Sequence, residues 1–346
     1  MLVASTACTG KIEAQQEPQP SDDAGTSSGA STRDGSVGTS DAGSDAGPAG
    51  IGDSSVGGGL VTLATDQALY YPISLAVDPV NVYWTAGTSD GRVMAVPIAG
   101  GSVFTLAPGQ NGALGIAASG GSVYWTDYVS SGPTANCLVM SATGGALATI
   151  ASAQRGSFGI AASGTTVFWT DANGGTVMRG GTGSAPVTLA SGQMNPTSIA
   201  VYESTVYWTV AGAIMRWQGG VVQTVASDPS VGSGSLFNAI AAVSTGVFWT
   251  EDFPANAGGG GAVVFAPLSG GVKTLAKEPT GAYGIAVDTQ NVYWTTPTAL
   301  VKMPLAGGSA TTLATSPASY QALSVAVDST SVYWTTAGSV MKFTPK

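Results

Sequence analysis

No histidine occurs among the 346 residues of the chain. That absence removes imidazole acid/base chemistry, Ser/His and Cys/His nucleophile pairs, and every histidine metal site. Charge is scarce as well, with Asp, Glu, Lys and Arg making up 9 % of the residues. The few cations are scattered, so no nucleic-acid partner is expected. Cysteine is represented only by Cys8 and Cys137. They lie on opposite sides of a polar tail, and no Cys-x-x-Cys motif is present, so Cys137 is expected to be an inert free thiol. Although 44 % of the residues are apolar, no run of 18 or more apolar residues exists, and no membrane-spanning helix is expected.

What the sequence does contain is short Val, Ile and Ala runs broken by 50 glycines, the pattern of buried strands joined by tight turns. Acidity is uneven. Residues 1–58 carry Lys11 and Arg33 against eight acids, so −6 of the formal net charge of −9 sits there and −3 in the rest. Residues 9–56 are rich in Ser, Gly, Asp, Ala and Thr and almost free of large apolar side chains until Ile51. Such a stretch cannot bury a core and is read as a disordered tether reaching roughly 35–40 Å. Before it stands "MLVASTAC", residues 1–8, which resembles the cleavage end of a bacterial lipoprotein signal peptide with Cys8 as the lipidated residue. The positive n-region and long apolar core of such a peptide are missing before Leu2, so this reading places the true start upstream.

From residue 57 to 346 the chain repeats. An aromatic-Trp-Thr triplet recurs at Trp84, Trp125, Trp169, Trp208, Trp249, Trp294 and Trp334, with successive spacings of 41, 44, 39, 41, 45 and 40. A period near 40–45 residues made of short strands is the signature of a β-propeller with one four-stranded blade per repeat. Each copy divides into a first strand such as "SLAVD", the Trp strand, a "VM" strand and a final "TLA" strand. A Gly-Gly pair precedes the last strand in most copies, at Gly100, Gly144, Gly219, Gly270 and Gly307, where hairpins demand positive φ. The seventh copy stops without its fourth strand, while residues 59–64 form an unpaired "GLVTLA" ahead of the first copy. The expected fold is therefore an all-β, seven-bladed propeller closed by an N-terminal strand that completes the last blade.

The triplets, and "FWTDANGGTVMRG" above all, resemble the YWTD propellers of the low-density-lipoprotein-receptor class and, more loosely, the NHL and lactonase-like group. The likeness spans residues 57–346, with seven triplets where the receptor class has six. It implies that Asp127, Asp171 and Glu251, which follow Trp-Thr, tie neighbouring blades together. Asp78, Asp288 and Asp328 end first strands and are read as turn caps. With Asp90 and Asp252 the acids after Trp-Thr give no local calcium-ligand spacing, so neither metal nor cofactor is expected. The tryptophans, one per blade, are read as core; Trp217 breaks the period and is read as an exposed aromatic.

The copies differ most between the second and third strands. These loops are short in blades four, six and seven but long in blade two ("DYVSSGPTANC") and blade five ("EDFPANAGGGGA"). Variation on one face of a repeat protein often marks its working face. The loops into the first strands add Tyr70, Tyr71, Asn111, Arg155, Phe158, Asn195, Phe237, Asn238, Tyr283, Tyr320 and Gln321. They are expected to ring the mouth of the central channel, where aromatics and amides suit a protein, peptide or glycan. The leading reading is a non-catalytic binding or scaffold module of the bacterial envelope. It is read as monomeric and as meeting the membrane only through lipid at Cys8. The alternatives are a calcium-dependent lactonase- or lyase-like enzyme and a purely structural lipoprotein.

Overall fold

The computed structural model describes residues 59–65, 72–86, 91–128, 136–227, 236–253, 259–315, 324–336 and 338–346. They contain 28 strands and no helix. The strands form seven four-stranded antiparallel sheets arranged as a ring, a seven-bladed β-propeller. In six blades the strands follow chain order. Blade one, for example, consists of Pro72–Val77, Asn81–Ala86, Gly91–Pro97 and Phe104–Gln110. The seventh takes Val325–Val327, Val332–Thr336 and Ser339–Thr344 from the end of the chain and its outermost strand, Gly59–Thr65, from the beginning. Gly59 pairs with Thr344 and Thr65 with Ser339, so the expected closure is present.

The Trp strands form because Val, Tyr, Phe, Trp and Thr favour extended backbone, and they are buried on both faces because each blade packs between two others. Trp125, Trp169, Trp208 and Trp294 are fully buried. A fixed row crosses each sheet at the tryptophan. In blade three it is Ile160, Trp169, Met178 and Thr188, and the Thr188 hydroxyl donates to Met178 Sδ at 3.2 Å. The same row reads Leu75, Trp84, Met94 and Thr105 in blade one.

The repeated Thr-Leu-Ala has a structural reason. In every blade the outer strand carries one extra residue just after that threonine, as where the pairing passes from Thr62 to Ala64 and skips Leu63. Such a bulge turns the skipped side chain out of the ladder and sharpens the local twist. Leu63, Ile150 and Leu313 occupy it and are buried.

Neighbouring blades are stapled by the threonine of the triplet. All seven of these threonines are fully buried. Thr170 Oγ1 accepts the Gly159 amide of its own blade at 3.1 Å and donates to the Thr197 carbonyl of the next at 2.6 Å. Thr85 does the same between Ser74 and Leu114, and Thr126 between Gly115 and Phe158. A Cβ on Gly159 would lie 2.2 Å from the Thr197 oxygen, so this close approach requires glycine. Across the closing seam, the Leu75 amide donates to Ser324 Oγ at 3.1 Å.

Candidate functional site: the long-loop face

The ring has two unlike faces. One carries the turns between first and second strands and between third and fourth strands. The other carries the loops between second and third strands and those that lead from one blade to the next. We call them the turn face and the loop face.

On the turn face, three blades around the seam repeat one arrangement. Asp328 Oδ1 accepts the amides of Thr330 and Ser331, while Oδ2 accepts the Tyr333 hydroxyl at 2.7 Å. Asp78 with Tyr83 and Asp288 with Tyr293 match it, as the turn-cap reading expects. The C-terminal Lys346 ammonium lies 2.6 Å from Asp288 and also donates to the Asp328 carbonyl. Burial pushes the Asp288 carboxyl up, but the Lys346 ammonium and the amides of Gln290 and Asn291 outweigh it and hold the group below its ordinary range. Asp328 is likewise lowered, its amide and hydroxyl donors outweighing burial.

On the loop face, blades one, two and three each grip the next blade through a glutamine. Gln110, Gln154 and Gln193 stand 15 residues before Trp125, Trp169 and Trp208, whose indole N–H donates to the glutamine Oε1 at 2.8, 2.9 and 3.0 Å. The glutamine Nε2 donates in turn to the carbonyl two residues back, on Pro108, Ser152 and Ser191, which fixes which end of the amide meets the indole. The residue between is left-handed in all three, at Gly109, Ala153 and Gly192, with φ of 67°, 58° and 68°. Glu278 serves Trp294 in the same way at 2.8 Å, and Trp249 turns to Glu251 of its own strand at 2.7 Å. Sequence reasoning missed these residues; a Gln 15 residues before Trp125, Trp169 and Trp208 was the available signal.

Two of the acids after Trp-Thr, Asp127 and Asp171, hold main chain. Asp127 accepts the Gly112 amide at 2.9 Å, and its carboxyl is pushed up by burial against the opposing pull of the Gly112, Asn111 and Tyr128 amides. Asp171 accepts the amides of Arg155 and Gly174, both at 2.9 Å. They fasten the loop entering their own blade, whereas the receptor likeness implies a bond to the neighbouring blade; the threonines and glutamines make those links instead.

Of the residues expected at the channel mouth, Asn111, Arg155 and Asn195 are exposed, while Phe158 and Tyr283 are half-buried. Phe158 and Tyr283 offer their carbonyls to Thr126 and Thr250 of the preceding blades. Phe237 and Asn238 lie in the first strand of blade five, Leu236–Val243. Tyr70, Tyr71, Tyr320, Gln321 and Cys8 fall outside the described residues, as does Asp90. Two expectations are corrected. Trp217 is half-buried, packed against the core shared by blades three and four because it faces Val206 and Val222 across the sheet. Cys137, buried at the start of the third strand of blade two, is disulfide-bonded and is not a free thiol.

Two inter-blade clefts are small. One of about 140 Å³ between blades four and five is lined by Ile214, Trp249, Glu251, Val264 and Thr274. The other, about 70 Å³, lies at the seam beside Trp84 and Val340. Small-molecule sites usually enclose ~300–1,000 Å³, so the open mouth of the loop face is the better candidate. Among the described residues, no group of three or more Cys, Asp or Glu side chains converges as a metal site would require.

No family model matches the chain, and no curated protein matches it. Solved structures share its fold. A histidine-to-alanine virginiamycin B lyase from Staphylococcus aureus, described as catalytically inactive and holding quinupristin, is 14 % identical with a TM-score of 0.67, over 83 % of this chain and 99 % of that one. A streptogramin B lyase is 11 % identical with a TM-score of 0.68, over 84 % and 98 %. The extracellular domain of a hybrid two-component system from B. thetaiotaomicron is 9 % identical with a TM-score of 0.63, over 82 % of this chain and 39 % of that one. Likeness at these identities establishes the seven-bladed fold alone.

Proposed function

We propose that the chain is a non-catalytic binding module whose loop face recognises a protein, peptide or glycan outside the cytoplasm. One observation carries this reading. The carboxylates Asp127, Asp171, Glu251 and Glu278 each accept hydrogen bonds from the chain itself, so they serve the scaffold. Asn111, Arg155 and Asn195 are exposed and Phe158 and Tyr283 half-buried on the same face. Rigid walls with variable loops suit recognition. The disulfide at Cys137 supports an oxidising compartment. Export and a lipid anchor at Cys8 are separate readings, and mass spectrometry of the N-terminal peptide distinguishes the two.

The lyases of similar fold suggest the enzyme alternative. A histidine substitution accompanies inactivity in one of them, and this chain has no histidine, which weighs toward binding. The test is capture from envelope extract and on glycan and peptide arrays, with the parent beside an Asn111→Ala, Arg155→Ala, Tyr283→Ala variant. Saturable capture by the parent and its loss in the variant are expected. Equal capture by both, or turnover of a captured compound, would overturn the reading.

A further inference from the structure

We propose that Asp252 and Tyr283 form a subsite on the loop face for a cationic group, an ammonium or guanidinium, of the ligand; the inference rests on the binding-module reading above. Asp252 ends the second strand of blade five, and Tyr283 lies in the loop leading into blade six. Their oxygens face one gap. A Cβ built on Gly281 would stand 3.1 Å from Asp252 Oδ1 and 3.3 Å from the Tyr283 hydroxyl, so the two oxygens are at most 6.4 Å apart, the total of those distances. Gly281 has φ of 104°, a conformation L side chains rarely adopt, and its missing side chain leaves the gap open. An ammonium reaching hydrogen-bond distance of two acceptors fits such a separation.

The gap is built on fixed main chain. The Tyr283 amide donates to the Thr295 carbonyl at 2.9 Å, and its own carbonyl accepts Thr250 Oγ1. The Phe253 amide donates to Gly260 at 2.7 Å. Beside it, a Cβ on Gly261 would lie 2.4 Å from the Glu251 carbonyl and 2.7 Å from the Ala282 amide. The glycine run of blade five therefore seats the loop of blade six closely, which explains its composition. Neither the Asp252 carboxylate nor the Tyr283 hydroxyl has a hydrogen-bond partner among the described residues, in contrast to Asp127 and Asp171. A half-buried carboxylate close to a half-buried phenol calls for a cation, and the aromatic ring adds to the attraction.

Titration calorimetry of the full chain with tetralysine, and with tetraglutamate as the opposite charge, tests this. Saturable 1:1 binding of tetralysine alone is expected. It should weaken at least about tenfold in Asp252→Asn and about threefold in Tyr283→Phe, both with the parent's thermal midpoint. Glu203→Gln, which removes one charge from an exposed turn of the opposite face, should bind as the parent does. Absence of saturable binding by the parent, undiminished binding in Asp252→Asn, or an equal loss in Glu203→Gln would overturn the assignment. Retained capture in the mouth experiment alongside any of these results removes the subsite and leaves the binding reading in place.

Discussion

Carboxylates on the two faces of the ring are shifted in opposite directions. On the turn face, Asp288 and Asp328 are lowered because a lysine, amides and a tyrosine hydroxyl outweigh their burial. On the loop face, Asp127, Asp252 and Glu278 are raised, with burial the largest cause in each. The turn face has thus settled its charges internally, and ionising its acids stabilises the fold. Ionising those of the loop face opposes folding, a burden that surfaces kept for interaction commonly carry. The difference places fold-stabilising acids on one face and, in the proposed reading, recognition on the other.

The largest effect should come from the turn-face seam, where the chain begins its outer strand beside Thr344. Deleting residues 1–65 removes that strand and should lower the thermal midpoint by more than about 10 °C relative to deleting 1–56, which loses Cys8 equally but keeps the strand, as calorimetry would show. Equal midpoints would mean that the ring closes another way. Next in size is Thr170→Val, which leaves the Gly159 amide and the Thr197 carbonyl without their buried partner. A loss of about 2–3 kcal/mol in denaturant unfolding is expected, and Thr170→Ser should recover most of it.

A pH series sharpens the comparison further. A carboxylate lowered in the folded state stabilises above its unfolded pKa of about 4, and that contribution disappears as pH falls through the folded value. Asp328→Asn should therefore melt below the parent at pH 7, and the gap should close below about pH 4. Asp252→Asn removes a raised carboxylate, so its midpoint at pH 7 should equal or exceed the parent's. Both variants melting lower at pH 7 would erase the distinction between the faces. The smallest effect is Ala153→Gly, which relieves a left-handed alanine at φ 58° and should raise stability by about 0.5–1 kcal/mol.

Much of this architecture could be read before the fold was seen, because seven copies of aromatic-Trp-Thr impose a period and an orphan strand implies a closure. Repetition averages over local ambiguity. The glutamine clasps escaped notice because Gln110, Gln154 and Gln193 lie outside the strand patterns and matter only through an indole in the next blade. The targets of Asp127 and Asp171 were hidden for the same reason: spacing along a strand does not say which loop folds back on it. Trp217 looked exposed because it lies off the triplet, yet its place opposite Val206 turns it toward the core. The pairing of Cys137 was illegible because a disulfide depends on the path of the chain and not on composition. At the mouth, the sequence supplied the residue types of Asn111, Arg155 and Tyr283; convergence of Tyr283 with Asp252 needed the packing of blade five's glycines against the loop of blade six.

The most direct test of the division between faces measures midpoint and ligand capture together for two variants. One carries Asn111→Ala, Arg155→Ala and Tyr283→Ala on the loop face, the other Asp288→Asn and Asp328→Asn on the turn face. The account predicts a crossover: the first keeps its midpoint at pH 7 and loses capture, and the second loses midpoint and captures normally while folded. Capture lost only in the turn-face variant, or retained in both, would contradict it.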